Sequence, residues 1–214
     1  MLQDTNIRDQ VAKNPSTPSD ALILLASDET NKVRSEVGSN PSTPVEVLQQ
    51  LSQDENIEVR LSVSSNTNAP VSALKLLASN EHGEVRRCVA SNPSTPVEVL
   101  QQLSQDESSR VRQSVAQNPS TPVELLSDLY AGFINDSSLA KTLIIEMLSN
   151  GLQLSQAELE ALVAQGDQGI AQAVAKNLVI PKNSVLALQL DSYKLEYQTA
   201  VLTTSNESYA PRLV

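Results

Sequence analysis

VRSEVGSNPSTPVEVLQQLSQDE, running from Val33 to Glu55, holds the signals that decide the fold. Val33 and Val37 stand four apart, so on a helix they share one face. Asn40-Pro41 ends that helix, because a residue before proline is pushed out of the α region. Asparagine tolerates the left-handed conformation and can bond its own backbone, which suits a helix exit. Thr43, Pro44 and Glu46 then read as N-cap, first helical residue and third helical residue of a capping box. The helix they open turns Leu48 and Leu51 inward. Upstream, Asp28 reads as the N-cap of the first helix, with Glu29 in its first turn.

The stretch recurs. Ile7, Val33, Val59, Val85 and Val111 open successive copies at a constant 26-residue period. Each opener is followed by arginine (Arg8, Arg34, Arg60, Arg86, Arg112), and seven residues after each opener stands asparagine (Asn14, Asn40, Asn66, Asn92, Asn118). Proline follows each asparagine at four residues: Pro18, Pro44, Pro70, Pro96, Pro122. A period of this length means stacked two-helix units, each too small to fold alone and sharing a continuous core with its neighbours. A second level is visible: PSTPVEVLQQLSQDE occurs at 41–55 and again at 93–107, as if a two-copy unit had been duplicated. The third copy departs most. It reads Asn66-Thr67-Asn68-Ala69-Pro70 with Ser72 in the glutamate position, so the missing cap predicts lower local stability around 66–72.

From Ala131 the register is lost. A helix is expected over 137–150 with Leu139, Leu143, Ile144 and Met147 on one side, and Ser155 to Glu158 reads as another capping box. Ile170, Val174, Asn177 and Pro181 then keep the repeat spacing in worn form, with Ala171 replacing the arginine and Leu186 and Leu188 as second-helix leucines. Tyr197 and Val201 mark a last fragment. The expected organisation is five regular repeats over 1–130, then diverged repeats and a cap over 131–214, continuous with the solenoid. No segment alternates with period two, so no sheet is expected.

Composition limits the chemistry. The 214 residues carry 15 Lys and Arg against 25 Asp and Glu, a net charge of −10. That average field repels a phosphate backbone. No aromatic residue precedes Tyr130, so the repeats pack on aliphatic side chains. Cys88 is the single cysteine and His82 the single histidine, which leaves no disulfide framework and no cysteine- or histidine-rich metal site. Neither a signal peptide nor a spanning apolar run is read, so a cytoplasmic location is expected, without membrane association. Phosphate-binding glycine motifs are absent, and the acids are spread by the repeat rather than paired in a cleft, so catalysis is not expected.

The pattern VR-x-x-VA-x-NPSTPVE, clearest at Val111 to Leu129 (VRQSVAQNPSTPVELLSDL), resembles the leucine-rich repeat variant family. The resemblance covers residues 7 to about 130 and, weakly, 166–190. It implies an all-α fold, a right-handed superhelix without sheet, in which one of the two short helices of each repeat is α or 3₁₀. The cysteine-held iron–sulfur centre known in that family is not implied here, since the cysteines for it are missing, and no cofactor is expected. No common catalytic activity comes with the resemblance.

Two surfaces stand out as candidates. Arg34, Arg60, Arg86 and Arg112 form a ladder that could bind phosphates or a carboxylate-rich partner, or could bond local acids and carbonyls. Gln49, Gln50, Gln101 and Gln102, with Leu61 and Leu76, form a mixed polar and apolar strip. The function expected is a non-catalytic scaffold binding a protein or peptide along an extended surface. The alternatives are binding of nucleic acid or another anion through the arginines, which net charge disfavours, and a structural accessory subunit. Partner identity and oligomeric state are not written in the sequence.

Overall fold

The computed structural model describes residues 4–122, 124–126, 128–129, 137–149, 156–164, 166–177, 179–181, 189–190, 192 and 198–200. The chain divides into two compact units, Met1–Leu125 and Leu126–Val214.

The first unit is a stack of helix pairs: α1 (Thr5–Lys13) with α2 (Ser19–Leu25), α3 (Asn31–Ser39) with α4 (Val45–Leu51), α5 (Ile57–Ser65) with α6 (Val71–Leu77), and α7 (Gly83–Ser91) with α8 (Val97–Leu103). α9 (Ser109–Gln117) opens the fifth repeat, and residues 124–126 are helical after it. Both helices of a repeat are α-helices, so the 3₁₀ alternative is not taken by these four repeats. First helices pack directly on the first helices of the next repeat, whereas second helices touch their neighbours sparsely. The stack is therefore tighter on the first-helix side. Gly38 contributes to this: a Cβ there would lie 3.1 Å from the Ser62 Cβ, so α3 and α5 approach at a glycine.

The core is the one the spacing predicts. Val33, Val37, Leu48 and Leu51 are buried, as are their equivalents Val59, Val63, Leu74 and Leu77 and then Val85, Val89, Leu100 and Leu103. Val47 and Val99 are buried as well.

The polar signals act differently from the sequence expectation. Asp28 is not the N-cap of α3; Thr30 is, and Asp28 stands two residues earlier, where its Oδ1 accepts the Thr30 N–H at 2.9 Å. Thr43 does not cap α4. Its hydroxyl donates back to the Val37 carbonyl at 2.6 Å and so satisfies one of the orphan acceptors at the end of α3. Thr95 and Thr121 repeat this bond to Val89 and Val115, also at 2.6 Å. Thr17 does the same to Val11, and Ala69 cannot. Nor does the asparagine exit use the left-handed region: Asn40 sits at φ −70°, ψ 125°. Its Oδ1 accepts the Ser42 N–H, while its Nδ2 donates to the carbonyls of Ala12 and Asn14 in the preceding repeat. Asn66, Asn92 and Asn118 form the same backward clamp. A second backward bond runs from the Ser42 hydroxyl to the Pro15 carbonyl, and Asn68 makes it with its longer amide arm to Pro41.

In the second unit, α10 (Ser137–Ser149), α11 (Gln156–Val163) and α12 (Gln168–Asn177) surround a cluster that includes Ile144, Leu148, Leu159, Val163, Ile170, Val174 and Leu190. Leu143 and Met147 are buried as expected. α11 exits through Gly166 at φ +83°, where a side chain would be strained. Asp167 caps α12 by accepting the N–H groups of Gly169 and Ile170. Ala171, in the arginine position, is buried. The worn copy then departs from the repeats. Val179–Pro181 forms β1, paired in parallel with β2, Gln198–Ala200, in the register Val179↔Gln198. The all-helical expectation holds through the repeats, and this three-residue pairing is the exception: β-branched Val179 and Ile180 favour an extended segment where the repeats open a second helix. Leu139 (apart from its place in α10), Ser155, Leu186, Leu188, Tyr197 and Val201 lie outside the described residues.

Candidate interaction surface

The arginine ladder comes first. Arg34 lies on the first turns of α3, and its side chain runs forward to the turn that leads into α5. Its Nε is 2.7 Å from Asp54 Oδ2 and its Nη2 3.0 Å from Oδ1, a two-pronged pair in which both side chains are about nine-tenths buried. Its Nη1 donates to the Asp28 carbonyl at 2.8 Å. Arg8 grips Asp28 in the same way, and Arg86 grips Asp106. Each such aspartate also holds its own turn: Asp54 Oδ1 accepts the Asn56 N–H and Asp106 Oδ1 the Ser108 N–H. Burial pushes the Asp28, Asp54 and Asp106 carboxyls up, but the arginine and N–H hydrogen bonds pull them further down, so each is held below the usual carboxylate range. The aspartate hydrogen bonds raise the Arg34 and Arg86 guanidinium pKa in turn.

Arg60 and Arg112 sit in the same place on their helices. Arg112 donates to the carbonyls of Asp106 and Glu107, and Arg60 to those of Asp54 and Glu55. Ahead of Arg60, however, the aspartate position holds Asn80.

A row that the sequence reading did not single out lines the outer side of these pairs, each member 3.3–4.0 Å from Nη2 of Arg8, Arg34, Arg60 or Arg86. Glu29, Glu55, Glu81 and Glu107 each follow the aspartate position, and their side chains are 87 %, 93 %, 77 % and 88 % exposed. At roughly 8–10 Å per packed repeat they form a line of carboxylates along one edge of the stack. Between Glu29 and Glu55 lies an open polar groove of about 520 Å³, lined also by Asn31, Arg34 and Asn56. The signal for this row was a glutamate in unbroken register through four copies.

Of the strip residues, Gln50, Gln101 and Gln102 are exposed on α4 and α8, and Gln49 is half-buried beside Ser72, to which it hydrogen bonds. Leu76 is exposed on α6, and Val45, Val71 and Val97, the first residues of α4, α6 and α8, are exposed as well. Leu61 lies on α5, in the first-helix layer, and is half-buried, so it does not join Leu76 in one strip. Leu24 and Leu25 line an apolar groove of about 530 Å³ on the first repeat with Val11 and Ala21.

Among the described residues no three His, Cys, Asp or Glu side chains are grouped to hold a metal ion, and no helix is long and apolar enough to cross a membrane. His82 is half-exposed with its Nε2 3.5 Å from Glu81, and Cys88 is half-buried on α7.

Residues 83–108, one repeat from the start of α7 to the N-cap of α9, match the family model described as leucine rich repeat variant. That repeat is similar to a leucine rich repeat variant. A solved structure described as a leucine-rich repeat variant with a novel repetitive protein structural motif is similar in fold, with a TM-score of 0.57 and 22 % identity over 81 % of this chain. The chain spans 66 % of that structure's length. No curated protein matches the sequence. The valines, leucines, arginine and asparagine that recur from repeat to repeat are turned into the stack.

Proposed function

We propose that this chain is a non-catalytic repeat scaffold that binds a protein or peptide partner through a basic segment laid along its glutamate edge. The observation that carries the reading is the division of labour between neighbouring acids. Asp28, Asp54 and Asp106 pair with arginines inside the stack, while Glu29, Glu55, Glu81 and Glu107 stand at its surface. Each glutamate lies 3.3–4.0 Å from the outer nitrogen of an arginine but is largely exposed, and so free to take a second cation. An array of like charges at fixed spacing favours a partner that brings the opposite charge at matching intervals. The competing reading, an arginine stripe for phosphates, needs open guanidinium forks. Arg8, Arg34 and Arg86 already have theirs closed on carboxylates.

The test is affinity capture by wild type and by a Glu29→Gln/Glu55→Gln/Glu81→Gln/Glu107→Gln variant, both checked for fold by circular dichroism. A basic protein held by wild type, released by added salt and not held by the variant supports the reading. Capture that is indifferent to the four substitutions rejects it.

A further inference from the structure

From Arg8 to Asp106 the hydrogen-bonded ladder along the glutamate edge is interrupted between Arg60 and Asn80. Arg8 holds the Asp28 side chain; Arg34 holds the Asp28 carbonyl and the Asp54 side chain; Arg60 holds the Asp54 carbonyl. The ladder resumes where Arg86 holds the Asn80 carbonyl and the Asp106 side chain. Between Arg60 and Asn80 no hydrogen bond crosses. Arg60 Nε is buried without a hydrogen-bond partner, and its fork faces the exposed Glu81, 3.9 Å from Nη2.

The defect is selective. Asn80 keeps the turn function of the aspartate, since its Oδ1 accepts the His82 N–H at 3.1 Å. Arg60 keeps both bonds to the carbonyls that precede its own helix. What is missing is the buried arginine–carboxylate pair between the third and fourth repeats. At the opposite end of α5 the junction is fully made: Asn92 Nδ2 donates to the carbonyls of Ser64 and Asn66, both at 2.9 Å, and the Ser94 hydroxyl to that of Thr67 at 2.7 Å. One edge of the interface is clamped. On the other Arg60 lacks its buried carboxylate, and what crosses is the exposed Gln102 amide to the Ser79 hydroxyl at 3.1 Å and Arg60 Nη2 beside the exposed Glu81 at 3.9 Å.

We propose that the junction between the third and fourth repeats is a hinge built into the solenoid, pivoting on the Asn92 clamp and opening on the Arg60–Asn80 edge. In a repeat stack, stability resolves into terms within repeats and terms between neighbours, so a weakened boundary between sound repeats is where the stack opens first. A buried guanidinium without its carboxylate adds to the bias, because opening returns it to water. The glutamate row crosses this hinge at Glu81, so the spacing between Glu55 and Glu107 can adjust.

The test is hydrogen exchange of the whole chain followed by mass spectrometry, with rates corrected for intrinsic chemistry. Amides over 79–87 are expected to exchange about tenfold faster than those over 53–61 and 105–112. Asn80→Asp, nearly isosteric with the residue it replaces, is expected to slow 79–87 to the level of the others. Asp54→Asn, which copies the defect one junction earlier, is expected to make 53–61 exchange as fast as 79–87 does in wild type. Equal rates at all three junctions in wild type, or no response of 79–87 to Asn80→Asp, would overturn the proposal.

Discussion

The side-chain amide of Asn40 lies 2.6 Å from the main-chain carbonyl of Ala12, in a buried bond that reaches back across a repeat boundary. The same nitrogen bonds Asn14 at 2.8 Å, so one residue satisfies two acceptors of another repeat. Asn40→Ala strands both, and is expected to cost about 2–4 kcal/mol. Asn40→Asp is expected to be worse, since it turns a carboxylate toward two carbonyl oxygens. Urea unfolding followed by circular dichroism orders the two; an aspartate variant as stable as wild type would refute the clamp.

Asp54→Asn removes the carboxylate that Arg34 grips and leaves the turn bond to Asn56 in place. A loss of about 2 kcal/mol is expected, at the low end for a broken buried pair because both side chains keep some contact with water. The same substitution at Asp106 is expected to cost a similar amount. A shift in the urea midpoint without a change in its slope is the readout.

Acid is expected to destabilise the repeats through Asp28, Asp54 and Asp106. Their folded carboxyls are held below the ordinary value, so the unfolded chain binds protons first as pH falls. Their contribution is complete above the ordinary value, about pH 4, and is lost as pH falls through the folded values below it. Melting temperature measured against pH should be level near neutrality, fall below about pH 4, and fall less steeply in an Asp28→Asn/Asp54→Asn/Asp106→Asn variant.

Ala69→Thr is expected to stabilise the protein by about 0.5–1.5 kcal/mol. Thr43, Thr95 and Thr121 occupy the equivalent position and bond the last turn of the preceding helix, so the added hydroxyl has a proven geometry and an acceptor in Val63. Differential scanning calorimetry checks it; a lower melting temperature would mean the third repeat has closed over the space.

The helices and the core were readable because their causes are local. Proline after Asn40 stops α3, and the spacing of Val33, Val37, Leu48 and Leu51 points all four inward. The polar residues depart from the sequence expectation for the opposite reason, since Asn40 finds its partners, and Arg34 its carboxylate, in another repeat. Thr43 stands where a capping threonine stands, and a short window cannot tell that its hydroxyl turns back to Val37. Asp28 precedes Arg34 by six residues and looks like its partner. In fact Arg34 takes only the Asp28 carbonyl and pairs with the Asp54 carboxylate instead. Which acids are buried and which stay exposed depends on those long-range pairs, so the glutamate edge is not legible from local spacing.

The cross-repeat bonds share a property that bears on how the chain folds. Arginine to aspartate spans 20 residues, and the asparagine clamp spans 26 and 28. None of these cross-repeat bonds reaches beyond the adjoining repeat, so the stack has low contact order and only short loops to close. Order can therefore spread along the chain by growth on an existing edge, each newly made repeat finding its template already folded as it is synthesised.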